Sequence, residues 1–150
     1  MDTTRPIVIV VDTNIVCYRW IPGPRSPDVD EALAKDADWI VPLLWRSEFR
    51  NALAGAIRQN LIALGVARDI IDTAESHFIA REFAVSSHTV LDLVANSTCS
   101  AYDCEFVALA EEQQVPLVTL DRQILREFPE IAISLQAFVR ARASGRRDRS

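Results

Sequence analysis

The chain has 150 residues, 49% hydrophobic and 25% charged, the balance of one soluble globular domain with a sizeable core. Sixteen Lys and Arg against twenty-one Asp and Glu give a formal charge of −5, which excludes a basic protein that holds nucleic acid by bulk charge. Five arginines against Asp148 from Arg140 onward carry +4, so residues 1–139 carry −9; so acidic a body approaches a polyanion only where a cation neutralises it locally.

The first predicted element is the unbroken β-branched run Ile7–Val11, which ends at Asp12-Thr13-Asn14, Asp12 starting an Asx-turn. A strand apolar on both faces belongs in a parallel sheet covered by helices. Ser26-Pro27, an N-cap followed by Pro at the first helical position, predicts a short helix over residues 26–35. Trp39-Ile40-Val41 is a second strand, and the longest helix follows over residues 43–60, with no Pro and only Gly55 inside. Val66, Ile70, Ile71, Ala74 and Phe78 mark a third helix, and Phe83-Ala84-Val85 a weaker strand. Ser87 caps a fourth helix through Val90, Leu91 and Val94, and Ser100 opens a fifth that runs to Gln114, with Pro116 at its exit. Leu117-Val118-Thr119-Leu120 is a strand, Asp121 opens a turn over residues 122–128, and Ile131-Ala132-Ile133 is another weak strand. Alternating strands and helices predict an α/β sheet with helices on both faces, one domain over residues 1–143 and a mobile basic tail over 144–150.

Several classes fall away. The longest apolar runs, Ile7–Val11 and residues 40–45, are far short of the ~20 residues of a membrane-spanning helix. The opening Met-Asp-Thr-Thr-Arg-Pro lacks the basic and apolar regions of a signal peptide. Cys17, Cys99 and Cys104 are odd in number and contain no Cys-x-x-Cys, against a disulfide framework or cysteine zinc site, so a reducing cytoplasm is the expected compartment. Gly23, Gly55, Gly65 and Gly145 form neither Gly-x-Gly-x-x-Gly nor Gly-Lys-Ser/Thr, against dinucleotide and P-loop nucleotide binding.

Four carboxylates stand in unusual places. On the long helix Trp45, Glu48, Phe49, Ala52, Leu53, Ala56 and Ile57 face one way, so Glu48 lies inside an apolar stripe. Such an acid snorkels or pairs with an arginine at the stripe's edge, or binds a metal. On the fifth helix Asp103 leads the stripe Phe106, Val107 and Ala110; Ser100-x-x-Asp103 also reads as a capping box. Asp12 and Asp121 directly follow apolar strands, at the carboxyl edge where open parallel sheets bind ligands, though Asp121 also reads as a helix cap. If the four converge, their repulsion requires raised pKa values or a shared cation, and oxygen-only ligands suit Mg²⁺ or Mn²⁺.

Val10-Val11-Asp12-Thr13-Asn14, Trp45-Arg46-Ser47-Glu48, the segment from Ala101-Tyr102-Asp103 to Leu109-Ala110, and Leu117-Val118-Thr119-Leu120-Asp121 occur in this order, and the chain resembles a PIN-domain ribonuclease. Within that family it most resembles the VapC-type toxins of bacterial toxin–antitoxin pairs, from about Ile7 to Phe138. The resemblance implies a PIN-like three-layer α/β/α sandwich with a central, mostly parallel sheet of four to five strands. It also implies an endoribonuclease that hydrolyses RNA with one or two Mg²⁺ or Mn²⁺ ions at Asp12, Glu48, Asp103 and Asp121. Asn14 and Thr119 would orient ligands or water, and Ser100 would either join them or act as a cap. The implied partners are an RNA substrate, a small antitoxin that fills the acidic pocket with a basic side chain, and a second copy in a homodimer. Trp20 and Pro22-Gly23-Pro24 lengthen the loop after the first strand relative to the family.

Rival functions fit less well. A haloacid-dehalogenase-type phosphatase wants Asp-x-Asp and a nearby lysine, but the third position is Asn14 and the only lysine is Lys35. A catalytically inactive PIN scaffold that binds RNA or protein would be expected to have lost an acid, and all four are present. His77 and His88 have no partner at ligand spacing, Cys99 and Cys104 read as buried thiols, and Trp39 and Trp45 as core. Arg46, Arg50 and Arg58 share the solvent face of the Glu48 helix.

Overall fold

The computed structural model describes residues 7–24, 27, 30 and 37–147. Five strands, β1 (Ile7–Val11), β2 (Ala37–Pro42), β3 (Glu82–Phe83), β4 (Leu117–Thr119) and β5 (Ala132–Ser134), form one sheet in the order β3-β2-β1-β4-β5. Every neighbouring pair is parallel, with Val10 opposite Ile40 on one side and Leu117 on the other. The described helices are α1 (Thr13–Trp20), α2 (Trp45–Arg58), α3 (Leu64–His77), α4 (Ser87–Ala95), α5 (Ala101–Gln113), α6 (Arg122–Glu127) and α7 (Leu135–Arg147).

The pleat of the apolar strands sorts their side chains into two cores. Ile9, Val11, Trp39, Val41 and Val118 face α1, α2, α3 and α7; Val10, Ile40, Leu117 and Ala132 face α4, α5 and α6. Helices on both faces make the three-layer α/β/α sandwich. From β1 the chain first builds outward to β2 and β3, then returns to place β4 and β5 on the other side. The switch point therefore lies between the carboxyl ends of β1 and β4, where strand order reverses and connections leave a crevice.

Several boundaries differ from the sequence reading. α1 occupies residues read as a turn and loop: Asp12 is its N-cap, and Trp20 is its last residue rather than part of the lengthened loop. Its β-branched start and lack of a broad apolar stripe hide it in the sequence. β3 is Glu82–Phe83 rather than residues 83–85, because β2 ends at Pro42 and offers no ladder beyond the Leu43 N–H donated to Phe83. Ser86, not Ser87, caps α4 by accepting the Thr89 N–H. The final helix continues to Arg147, so four residues of the segment read as a tail have helical backbone. The helix expected over 26–35 lies, residues 27 and 30 apart, outside the described residues, as do tail residues 148–150. No helix among the described residues is long and apolar enough to cross a membrane.

Candidate active site

At the end of β1, Asp12 turns its carboxyl back over α1, and Oδ1 accepts the Thr13 N–H at 2.8 Å. Its other oxygen, Oδ2, accepts the Thr119 hydroxyl at 2.7 Å and the Asn14 amide at 3.4 Å. Asn14 also accepts the Leu120 N–H at 3.2 Å, and Thr119 Oγ1 accepts the Asp121 N–H at 2.9 Å. These bonds tie the ends of β1 and β4 together across the switch point. Asp121 Oδ1 caps α6 by accepting from Gln123 N (2.8 Å) and Ile124 N (3.1 Å); the cap engages one carboxylate oxygen.

Glu48 lies in the first turn of α2, whose buried stripe is Trp45, Phe49, Leu53 and Ala56. Among the described residues it pairs with no arginine. Oε1 instead accepts the Thr13 hydroxyl at 2.7 Å, from 35 residues away. Asp103 lies in the first turn of α5, its N–H donated to Ser100 Oγ at 3.1 Å. Ser100 donates in return to the Asp103 carboxyl, so the capping box exists and Ser100 acts as the cap. The loop before it is pinned by Glu127, which accepts the Thr98 N–H (2.9 Å), the Thr98 hydroxyl (2.6 Å) and the Cys99 thiol (3.3 Å).

The structure thus brings the four acids to one edge of the sheet. Burial, only partly offset by hydrogen bonds from Thr119 and Thr13, pushes Asp12 up to about 6, and the charges of Glu48 and Asp103 add to the rise. Burial also raises Glu48, against the Thr13 bond and with the charge of Asp103; Asp103 is raised by burial and then by Asp121. The Cys17 thiol is driven to about 11 by burial and by the fields of Asp12 and Glu48. None of the four acids has an ion-pair partner among the described residues. This concentration of negative charge, made only of oxygen donors, fits a hard divalent cation such as Mg²⁺ or Mn²⁺. Among the described residues no three His, Cys, Asp or Glu side chains close into one ligating cluster.

Thr13 is the site residue that the sequence reading missed. Its signal was adjacency to a strand-end acid; its partner, Glu48, is visible only in three dimensions. The remaining candidates are structural in their contacts. His77 packs edge-on against Trp20, Trp39 and Phe78, and its pKa is lowered by burial and by Arg19. Cys99 and Cys104 are buried free thiols. Arg46 departs from the expected solvent face: it makes a two-pronged pair with Glu82 at 2.7 Å for both bonds, with Glu75 on a third nitrogen at 3.2 Å. Trp45 Nε1 donates to the same Glu82 at 2.8 Å, which clamps β3 to α2.

Comparison with known proteins bears on the family and the fold. A PIN domain family model matches residues 9–131. The curated protein Ribonuclease VapC3 of Pyrobaculum aerophilum is 26% identical over 126 residues, covering 82% of this chain and 96% of that protein. Among solved structures, PAE2754 from Pyrobaculum aerophilum superposes with a TM-score of 0.68 at 19% identity, over 92% of this chain and 90% of its own. FitAcB from Neisseria gonorrhoeae does so with a TM-score of 0.65 at 14% identity, over 85% of this chain and 98% of its own. At these identities the superpositions bear on fold alone.

Proposed function

Because the chain belongs to the PIN domain family, we propose that it is a divalent-metal-dependent endoribonuclease, the toxin of a toxin–antitoxin pair. The observation that carries this reading is the meeting of Asp12, Glu48, Asp103 and Asp121, from four separate elements, at the switch point of a parallel sheet with no cationic partner among the described residues. A relative named as a VapC ribonuclease supports the substrate class.

In this reading the four carboxylates would hold one or two Mg²⁺ or Mn²⁺ ions. Bound, such an ion lowers the pKa of water and polarises a phosphodiester, and it relieves the repulsion between an acidic protein and RNA. The chain's own part is positioning. Thr119 and Asn14 hold one oxygen of Asp12 by donating to it, Thr13 holds one oxygen of Glu48, and the Ser100 cap sets Asp103 at the head of α5. Fixing these anions beforehand avoids reorganisation when the substrate arrives. An apolar groove of about 350 Å³ between α2 and α3, lined by Leu53, Ile57, Leu64 and Ile71 with Arg50 and Arg68 at its rim, supports a protein partner such as a small antitoxin.

The test is to incubate the protein with RNA and Mn²⁺ and to sequence the ends produced, beside an Asp12→Asn control. Metal-dependent cuts with 5′-phosphate ends, lost in the folded variant, are expected. Undiminished cutting by Asp12→Asn would overturn the assignment.

A further inference from the structure

A cavity of about 450 Å³ opens between α4 and α5 and is lined by none of the four acids. Tyr102 and Glu105, three apart on α5 and therefore neighbours on its surface, contribute to it along with Val85, Ser87, Val90 and Leu91. Glu105 is close enough to Glu48 for the two charges to oppose one another, so the cavity adjoins the acid site. The Glu105 side chain is half-buried, yet no hydrogen-bond or ion-pair partner meets it among the described residues. Tyr102, immediately before Asp103, is 64% exposed. A solvent-facing aromatic ring and a carboxylate that no described protein group engages therefore share the wall of one cavity with apolar side chains.

We propose that this cavity is a base-binding subsite selective for guanine, with Tyr102 stacking on the ring and Glu105 accepting its Watson–Crick N–H groups. The proposal deepens the ribonuclease reading and rests on it for the source of the base. Single-stranded RNA is read by stacking splayed bases on aromatic side chains and by hydrogen bonds to their edges. A carboxylate only accepts. Guanine alone presents two adjacent donors on its Watson–Crick edge, the ring N1–H and the exocyclic amine. Adenine, cytosine and uracil each set an acceptor beside a donor and turn a lone pair toward the carboxylate. A neutral base enters this negative field without the repulsion a phosphate meets, so the cavity suits a nucleobase better than backbone.

The experiment is a metal-free titration of the isotope-labelled full chain with the four neutral nucleosides, followed by amide NMR. Guanosine is expected to shift the amides of Ser87, Tyr102 and Glu105 and to bind about tenfold more tightly than uridine. Glu105→Gln is expected to abolish that preference while keeping a folded spectrum. Tyr102→Ala weakens guanosine about tenfold, and Tyr102→Phe restores it. Equal binding of guanosine and uridine, shifts that lie elsewhere, or a preference that survives Glu105→Gln would each overturn the subsite. Guanosine bound here by a chain that cuts no RNA would uphold the subsite and sink the nuclease; RNA cutting without guanosine preference would do the reverse.

Discussion

The hydroxyl of Thr13 donates to Glu48 Oε1 at 2.7 Å, while the N–H of the same residue donates to Asp12 Oδ1 at 2.8 Å. One buried threonine thereby sets the orientation of two acids from different elements. Thr13→Val keeps the shape but leaves Glu48 without its donor, and Thr13→Ser keeps the hydroxyl. Thr13→Val is expected to weaken Mn²⁺ binding about tenfold, and Thr13→Ser to stay near the parent, by titration calorimetry. Equal affinities in all three proteins would dismiss the orienting role.

Asp12 is only 8% exposed, and burial holds its carboxyl near 6 rather than 3.8. The ionised form therefore destabilises the metal-free fold at neutral pH, by at most about 3 kcal/mol. An asparagine at this position can still accept from Thr13 N–H, and its amide can donate to Thr119 Oγ1 once the long Asn14 bond to that oxygen gives way. Asp12→Asn is expected to raise metal-free stability at pH 7 by about 1–3 kcal/mol and to lose most of the stabilisation that Mn²⁺ gives the parent. Chemical denaturation with EDTA and with Mn²⁺ measures both.

The same shift sets a pH dependence. A carboxyl whose folded pKa lies above its unfolded one stabilises the fold below about pH 4, and that contribution is lost as pH rises through about 6. Glu48 and Asp103 are raised as well and act in the same direction. In EDTA, stability relative to Asp12→Asn should decline between pH 4 and pH 7, and Mn²⁺ should reverse the decline at pH 7. A constant difference between the two proteins across that range would contradict the burial argument.

The clamp of Arg46 and Trp45 on Glu82 holds a strand of two residues to the sheet. Arg46 keeps its side chain 37% exposed, so solvent screening limits the pair, and Glu82→Gln is expected to cost about 1–2 kcal/mol. Hydrogen bonding from Arg46 depresses the Glu82 pKa, so its contribution is present above the ordinary carboxylate range and fades as pH falls through the depressed value. Urea melts of parent and variant should therefore converge in acid.

Gly55 lies inside α2, and a Cβ added there meets nothing within 4 Å. Gly55→Ala is expected to stabilise by about 0.5–1 kcal/mol through the unfolded chain's lost freedom and better helix propensity. Thermal melts check this, and a lowered Tm would refute it.

Much of the site was legible because its chemistry contradicts its setting. Glu48 in an apolar stripe and acids directly after Ile7–Val11 and Leu117–Thr119 stand out against the hydrophobic pattern that surrounds them. The capping readings proved real too: Asp103 shares a capping box with Ser100, and Asp121 caps its helix through one carboxylate oxygen, so a capping role and a place beside the other acids coexist. Thr13 and the Arg46 clamp were not legible. A hydroxyl or guanidinium on one element gives no sign of which distant carboxylate it will meet.

Local sequence determined the parallel strands, the main helices and the identity of the acids, because hydrophobic period and strand-end position are properties of short segments. Tertiary structure alone decided that α1 is a helix, that β4 lies beside β1 and not beside β3, and that Thr13 meets Glu48. Those outcomes depend on contacts between residues far apart in the chain. Their energies appear only once the two cores of the sheet are packed and the ends of β1 and β4 are brought side by side.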